Sequence, residues 1–343
     1  MCIRDSRRPS SNSTSDMVSL NQISARAELE RRRYQIEEAL EEFVQKRLSQ
    51  PDAPVMRLVS DILLGGGKRY RPVLSVLAYE ACGGEDKEKA FNLALSGELI
   101  HTATLVHDDI NDQSKLRRGK PTLHTTKSQS HAIIAGDYLF ALGFGVGGHN
   151  DDRVVERIAS TCGGIATGEI LQMEHIGNLS TTPEDYYAIV DGKTARPFAS
   201  ACWGASIAAE AEQYADSMEV FGMELGRAFQ LVDDLLDLTG DPKMGKPRGT
   251  DVHDGKMTLP IIHALTILPG SDYEHFTDVL TNFSDDRWGE FTELIEKSGS
   301  LHYSRQLIEN HIERALNALE ELPESRARTL MAELTKMSER RRS

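Results

Sequence analysis

The reading of this chain starts at Leu105-Val106-His107-Asp108-Asp109-Ile110-Asn111-Asp112. Asp108 and Asp112 stand four residues apart, so on a helix of about 3.6 residues per turn they stack on one face, with Asp109 on its shoulder. Like charges at that spacing repel, and the helix gains nothing from them unless a cation collects there. All-oxygen donors on a few carboxylates suit Mg2+, which keeps several waters and is completed by phosphate oxygens. A solvated acidic face is the plain alternative for one such motif. A second run, Phe229-Gln230-Leu231-Val232-Asp233-Asp234-Leu235-Leu236-Asp237, repeats the arrangement inside an apolar segment. There carboxylates are costly unless paired with metal or hydrogen bonds. Two such helices facing across a hollow would cage a metal cluster and a diphosphate.

Working outward, apolar residues recur at helical spacing and strand-like alternation persists nowhere, so the chain reads as all-α. The expected helices cover Ile23 to Leu48, Asp52 to Leu64, the stretch from Tyr70 to Cys82, Asp86 to Asp112, His131 to Gly148, Asp151 to Ile176, a segment opening at Pro183, and Glu210 to Thr239. Amphipathic helices follow from Leu259 to about Lys336. Gln113 to Thr126 reads as a loop, and Gly240 to Thr258 as a mobile, charged flap. Pro197, which has no N–H to donate, bends its helix just past Lys193 and Thr194.

The 343 residues carry a net charge of -14, with 39% hydrophobic residues and a mean hydropathy of -0.39. This balance fits a soluble protein and argues against a general nucleic-acid or anionic-membrane binder. No apolar run is long enough for a membrane span. A site for an anion must therefore be built locally. Cys2, Cys82, Cys162 and Cys202 form no close pairs, so neither a zinc knuckle nor a disulfide framework is indicated, and a reducing cytoplasm is the simplest compartment. The Ser- and Arg-rich start, residues 1–20, reads as a disordered tail ahead of one helical domain over 21–340, with Met17 a candidate native start.

Cationic clusters flank the aspartates. Gly65-Gly66-Gly67 ends a helix and lets backbone approach a ligand, while Lys68, Arg69 and Arg71 put positive charge at the next helix start, whose free amides also favour anions. The order GGGKRYRP is not that of a P-loop. Arg117 and Arg118 lie just beyond the first acidic motif, where either a surface salt bridge or neutralisation of phosphate charge would use them. His101 falls on the stripe of Asp108, together with Thr104 and Gly97, as a packing residue or a partner for a bound anion.

These motifs in this order, from about Ala39 to Ser300, resemble the all-trans isoprenyl diphosphate synthases of the polyprenyl synthetase family, of medium- or long-chain type. The resemblance implies a single-domain bundle of mostly antiparallel helices around a deep central cavity, usually a homodimer. It implies Mg2+, about three ions per site, on Asp108, Asp109, Asp112, Asp233 and Asp237. Arg117, Lys193, Thr194, Gln230, Lys246 and Lys256 would grip an allylic diphosphate. Lys68, Arg71, His101 and Arg118 match the family's isopentenyl diphosphate site. Asp108, Asp112, Asp233, Lys193 and Arg117 would carry catalysis: ionisation of the allylic diphosphate, attack on isopentenyl diphosphate, and proton loss to the released diphosphate.

The growing chain should run down the turns before Asp108, so Ala103 and Thr104 set its length and Phe140 could cap the tunnel. The absence of an aromatic at Ala103 and Thr104 suggests geranylgeranyl or longer products. A class I terpene cyclase shares the fold and first motif, but its second metal motif differs and it needs no GGGKRYRP loop. A noncatalytic prenyl-diphosphate-binding subunit is the other rival, against which the intact acidic motifs argue.

Overall fold

The computed structural model describes residues 20–148, 151–240 and 249–339. Among these the fold is all-α, a bundle of helices around a central cavity. The helices are α1 (Leu20–Arg47), α2 (Ala53–Leu63), α3 (Tyr70–Ala81), α4 (Lys87–Asn111), α5 (Leu123–Thr126), α6 (Gln129–Gly147), α7 (Asp152–Glu174), α8 (Pro183–Val190), α9 (Arg196–Ala208), α10 (Ala215–Thr239), α11 (Thr250–His253), α12 (Leu259–Ile267), α13 (Gly270–Thr281), α14 (Trp288–Lys297), α15 (Ser300–Leu319) and α16 (Arg326–Glu339).

The two acidic motifs sit at the C-terminal ends of α4 and α10. Asp86 starts α4 by accepting hydrogen bonds from the amides of Glu88 (2.8 Å) and Lys89 (3.2 Å). One flank of α4, carrying Leu99, Ala103, Val106 and Ile110, packs against Ala132, Ala135, Leu139 and Leu142 of α6. Burying side chains of this size contributes roughly 1.5–3 kcal/mol for each of the larger ones. The other flank is left for the cavity. Helix α10 is held between α9 and α15, and its glycines allow very close approach: a Cβ on Gly222 would lie 2.4 Å from Ala199 Cα, and one on Gly226 2.5 Å from Ala195 Cα.

Between α8 and α9 the chain does not merely bend. Asp191–Ala195 forms a π turn, immediately before Pro197 in the first turn of α9. The missing proline N–H leaves the Lys193 carbonyl without its usual helical donor, and the wider turn accommodates that loss. Lys193 and Thr194 therefore project from an irregular turn.

Three boundaries differ from the sequence reading. The second central helix begins at Ala215, because Glu210 adopts a left-handed conformation (φ 57) and the Ala211 amide reaches back to the Ser206 carbonyl at 2.9 Å, closing α9. Gln113 to Thr126 is more than a loop: Leu116–Arg117 and Lys120–Pro121 pair as a small antiparallel hairpin, followed by α5. Its two turn residues, Arg118 (φ 53) and Gly119 (φ 75), both take the positive φ that a tight hairpin turn requires. The charged flap contains α11; residues 1–19 of the expected tail and residues 241–248, with Lys243, Lys246 and Arg248, lie outside the described residues, while Leu20 already opens α1.

Candidate active site

One polar cavity of about 380 Å3 gathers side chains from both acidic motifs. Helix α4 contributes Asp108 and Asp112, α10 contributes Asp233 and Asp234, and the segment around α11 adds Asp251. Burial pushes the Asp108 carboxyl up to about 6, with Glu169 and Asp112 adding to the rise and Lys193 opposing it. Burial likewise takes Asp234 up to about 7, with help from Asp251. These acids are thus held together against their own repulsion.

Cations and hydrogen-bond donors enter the same space. Lys193 donates from Nζ to Gln172 Oε1 at 2.5 Å and is ion-paired with Glu169, both on α7. Thr194 donates to Gln230 Oε1 (2.9 Å), whose amide in turn donates to Asp234 Oδ1 (2.8 Å). Tyr186, fully inside α8, donates to the other Asp234 oxygen at 2.6 Å. Lys256 pairs with Asp251 and Asp254, each at 3.1 Å. Burial works against its charge, but Asp251, Asp112 and Asp254 outweigh that and raise its pKa. Lys256 thus stands within electrostatic reach of both motifs.

Two expected metal ligands are differently employed. Asp109 lies off the cavity face, 7% exposed, and accepts from Arg117 Nε at 2.7 Å. Arg117 itself lines the cavity, so Asp109 aims the guanidinium. Asp237 accepts from the amides of Thr250 and Asp251, each at 3.1 Å, fastening the α11 segment over the second motif. Glu169, Gln172, Tyr186, Asp234 and Asp251 were not singled out from the sequence as site residues. Asp234 and Asp251 carried the right chemistry within motifs already marked; nothing in the sequence distinguished Tyr186 from a core tyrosine.

The basic residues form a second group. Arg118 donates to the Gly66 carbonyl, and its guanidinium lies so close that a Cβ on Gly67 would meet Nη1 at 2.7 Å. The φ of 148 is what favours glycine there, since the arginine tip could yield to a Cβ. Arg71 Nη1 is 3.3 Å from His101 Nε2, and its guanidinium lies 4.6 Å from the Phe198 ring centroid. Burial first, then Arg71, Arg118 and Arg117, drives the His101 pKa well below its ordinary value, so the ring is neutral. Lys68 is exposed at the loop. Beneath it Arg69, left-handed at φ 46, turns inward to Glu37 (3.0 Å), Glu98 (2.5 Å) and the Leu63 carbonyl (2.5 Å).

A narrower apolar cavity of about 90 Å3 shares Arg71, His101, Thr104 and Lys193 with the polar one. It continues past Leu93, Gly97 and Ile100 of α4, Ile158 of α7 and Gly204 of α9. Ala103 does not line it. One residue is about 100° round a helix, so Ala103 falls on the opposite flank from Gly97, His101 and Thr104, fully buried against α6. Phe140 is also displaced from the tunnel, its ring 5.8 Å from that of His107.

With this geometry, comparison with known proteins is informative. The polyprenyl synthetase model matches residues 53–294. An all-trans-nonaprenyl-diphosphate synthase (geranyl-diphosphate specific) of Rhodobacter capsulatus is 37% identical over 303 residues, covering 88% of this chain and 93% of that protein. The crystal structure of a decaprenyl diphosphate synthase from the same organism superposes with a TM-score of 0.85 at 31% identity, covering 92% of this chain and 99% of that one. A geranylgeranyl pyrophosphate synthetase from Pyrococcus horikoshii gives 0.82 at 32%, covering 90% and 98%. The fold and site define a prenyltransferase. The chain belongs to the polyprenyl synthetase family and is a polyprenyl diphosphate synthase.

The buried pairing of Arg69 with Glu98 supports the whole basic loop. Replacing Arg69 with Met leaves an uncompensated buried carboxylate and should cost about 3–5 kcal/mol in urea unfolding. A loss below about 1 kcal/mol would show that the pair does not hold the loop.

Proposed function

We propose that the enzyme joins isopentenyl diphosphate to an allylic diphosphate in the polar cavity and threads the product into the apolar one. The observation that carries this reading is the convergence of Asp108, Asp112, Asp233 and Asp234 with Lys193, Thr194 and Arg117 on one hollow that opens into a tunnel.

Asp108, Asp112 and Asp233 are hard oxygen donors of the kind Mg2+ takes, whereas both Asp234 oxygens already accept hydrogen bonds from Tyr186 and Gln230. Among the described residues no three acidic, histidine or cysteine side chains form a closed metal site. An Mg2+ ion held there would finish its shell with water and diphosphate oxygens, and the family resemblance implies about three such ions. When bound, the metal supplies neutralisation of the charge that develops on the leaving diphosphate. Arg117, Lys193 and Lys256 would hold that diphosphate from the sides, and Thr194 and Gln230 would orient it through hydroxyl and amide. Lys68, Arg71 and Arg118, with neutral His101, would hold isopentenyl diphosphate. The released diphosphate is our candidate for the base, because the cavity offers no carboxylate set apart for that task.

The test is consumption of labelled isopentenyl diphosphate by the purified chain with an allylic diphosphate and Mg2+. EDTA should abolish it, and the pair Asp108→Asn with Asp233→Asn should reduce turnover by at least about a thousandfold. Normal turnover in that variant would remove the mechanism, whereas product from the allylic substrate alone would favour a cyclase.

Geranylgeranyl or longer products are supported by the small lining residues Gly97, Ala201 and Gly204 and by Thr104 at the tunnel mouth. Thr104→Phe should shorten the products seen by chromatography; an unchanged distribution would mean that the chain takes another route. We also infer a homodimer using α6, where Ile133 is 44% and Ile134 55% exposed, an arrangement that favours a covering partner. Light scattering should give twice the 38.1 kDa chain mass, and Ile133→Asp with Ile134→Asp should return it to one chain. A monomeric parent protein would dismiss this inference. We assign the cytoplasm because the thiols of Cys82, Cys162 and Cys202 are free. No helix among the described residues is long and apolar enough to cross a membrane.

A further inference from the structure

The π turn that presents Lys193 and Thr194 is held by a side-chain network lying outside the cavity lining. Arg227, on α10, grips Asp191 with two parallel hydrogen bonds, Nε to Oδ1 and Nη2 to Oδ2, both 2.7 Å. Such a fork fixes orientation as well as distance, and a lysine cannot reproduce it. The side chains are only 26% and 21% exposed, so solvent screens the pair less than a surface bridge.

Arg227 is itself braced. Its Nη1 donates to Glu224 Oε1 at 2.9 Å, while the other Glu224 oxygen accepts from Arg314 Nε at 2.6 Å and lies 2.7 Å from His311 Nδ1. Tyr187 closes the ring, with its hydroxyl 3.0 Å from His311 Nε2. On the opposite side of the turn, a Cβ on Gly192 would lie 2.7 Å from the Gly164 carbonyl, so the turn is pressed onto α7. One residue beyond Gly192, Lys193 enters the cavity.

We propose that Arg227, acting through Asp191, is a positioning residue for the allylic-diphosphate half of the reaction: it fixes the π turn so that Lys193 and Thr194 meet the diphosphate together. This rests on the role proposed above for those two residues. Neither Arg227 nor Asp191 touches the substrate in this arrangement. Pro197 keeps the turn irregular, but loss of the clamp lets it shift between α7 and α10, which moves Lys193 and Thr194 out of register with Gln172 and Gln230.

The experiment compares Arg227→Met, Arg227→Lys, Asp191→Asn, Lys193→Ala and the double variant Arg227→Met with Lys193→Ala. KM for each substrate and the unfolding temperature are measured for all of them. We expect Arg227→Met and Asp191→Asn to raise the allylic KM about tenfold, the size of one lost charge-assisted interaction, with isopentenyl diphosphate KM within about twofold of the parent. Arg227→Lys should fall between the parent and Arg227→Met. Adding Arg227→Met to Lys193→Ala should raise allylic KM by clearly less than the tenfold it causes alone, because only the share carried by Thr194 remains to be lost. A merely structural role would instead lower kcat with both KM values unchanged, in step with the lost folded fraction, and that result overturns the proposal. Multiplying effects in the double variant, with a normal Lys193→Ala effect, overturns the clamp alone. An unchanged allylic KM in Lys193→Ala overturns the assignment of Lys193 and the clamp with it.

Discussion

Mutual repulsion among carboxylates in a shared hollow is the constraint to which the rest of the molecule answers. Asp108 and Asp234 are pushed to about 6 and about 7 first by burial itself, with neighbouring carboxylates adding to the rise. Such an arrangement costs folding energy and survives only if the frame around it is strong. The frame is visible in how closely the helices meet: Gly222 and Gly226 let α10 lie against Ala199 and Ala195, and the opposite flank of α4 is packed on α6. Lys193, Arg117 and Lys256 lessen the repulsion without closing the space, leaving a net negative hollow that an incoming cation can neutralise.

The basic side follows the inverse logic. Arg69, Arg71 and Arg118 would repel one another, and the structure sets Glu98 beneath them. Burial dominates and raises the Glu98 carboxyl above its ordinary value, although Arg69, Arg71 and Arg118 each pull it down. Arg69 is taken up by its pairing with Glu98 and by a second one with Glu37. His101, neutral in the field of the arginines, adds a polar ring at the neck without adding charge. Two anion-facing groups of residues are thereby built from opposite starting problems.

The sequence carried much of this. The helical class, the paired acidic motifs and the order of basic loops could be read from spacing alone, because a four-residue interval fixes a helix face wherever the helix lies. What spacing could not fix was which neighbour would take a given oxygen. Asp109 and Asp237 look like Asp108 and Asp233 in the sequence, yet a hairpin arginine occupies the first and two backbone amides occupy the second. Those partners depend on the turn at Arg118-Gly119 and on the α11 segment folding back. Ala103 shows the complementary error: counting residues upstream of Asp108 ignored that one step moves a side chain from cavity to core. Tyr186 was invisible because a tyrosine hydroxyl reaching a distant aspartate leaves no local trace.

On the proposed route, the neck between the two cavities would let charge handling and chain growth share one site. Arg71 presents charge toward the polar side while its guanidinium packs over the rings of Phe198 and, at 5.8 Å, Phe229. The cation is therefore partly sheltered by aromatic faces that favour it, and those same rings belong to the apolar core. Thr104 satisfies its own hydroxyl on the His101 carbonyl at 2.7 Å, so it crosses the boundary without demanding water. On the proposed route, a hydrocarbon leaving the polar chamber would find the Thr104 hydroxyl already satisfied, with apolar lining beginning within one helical turn of Asp108. Polarity changes so abruptly because α4 turns the same face toward both chambers, with acids at its end and Gly97 and Leu93 behind them.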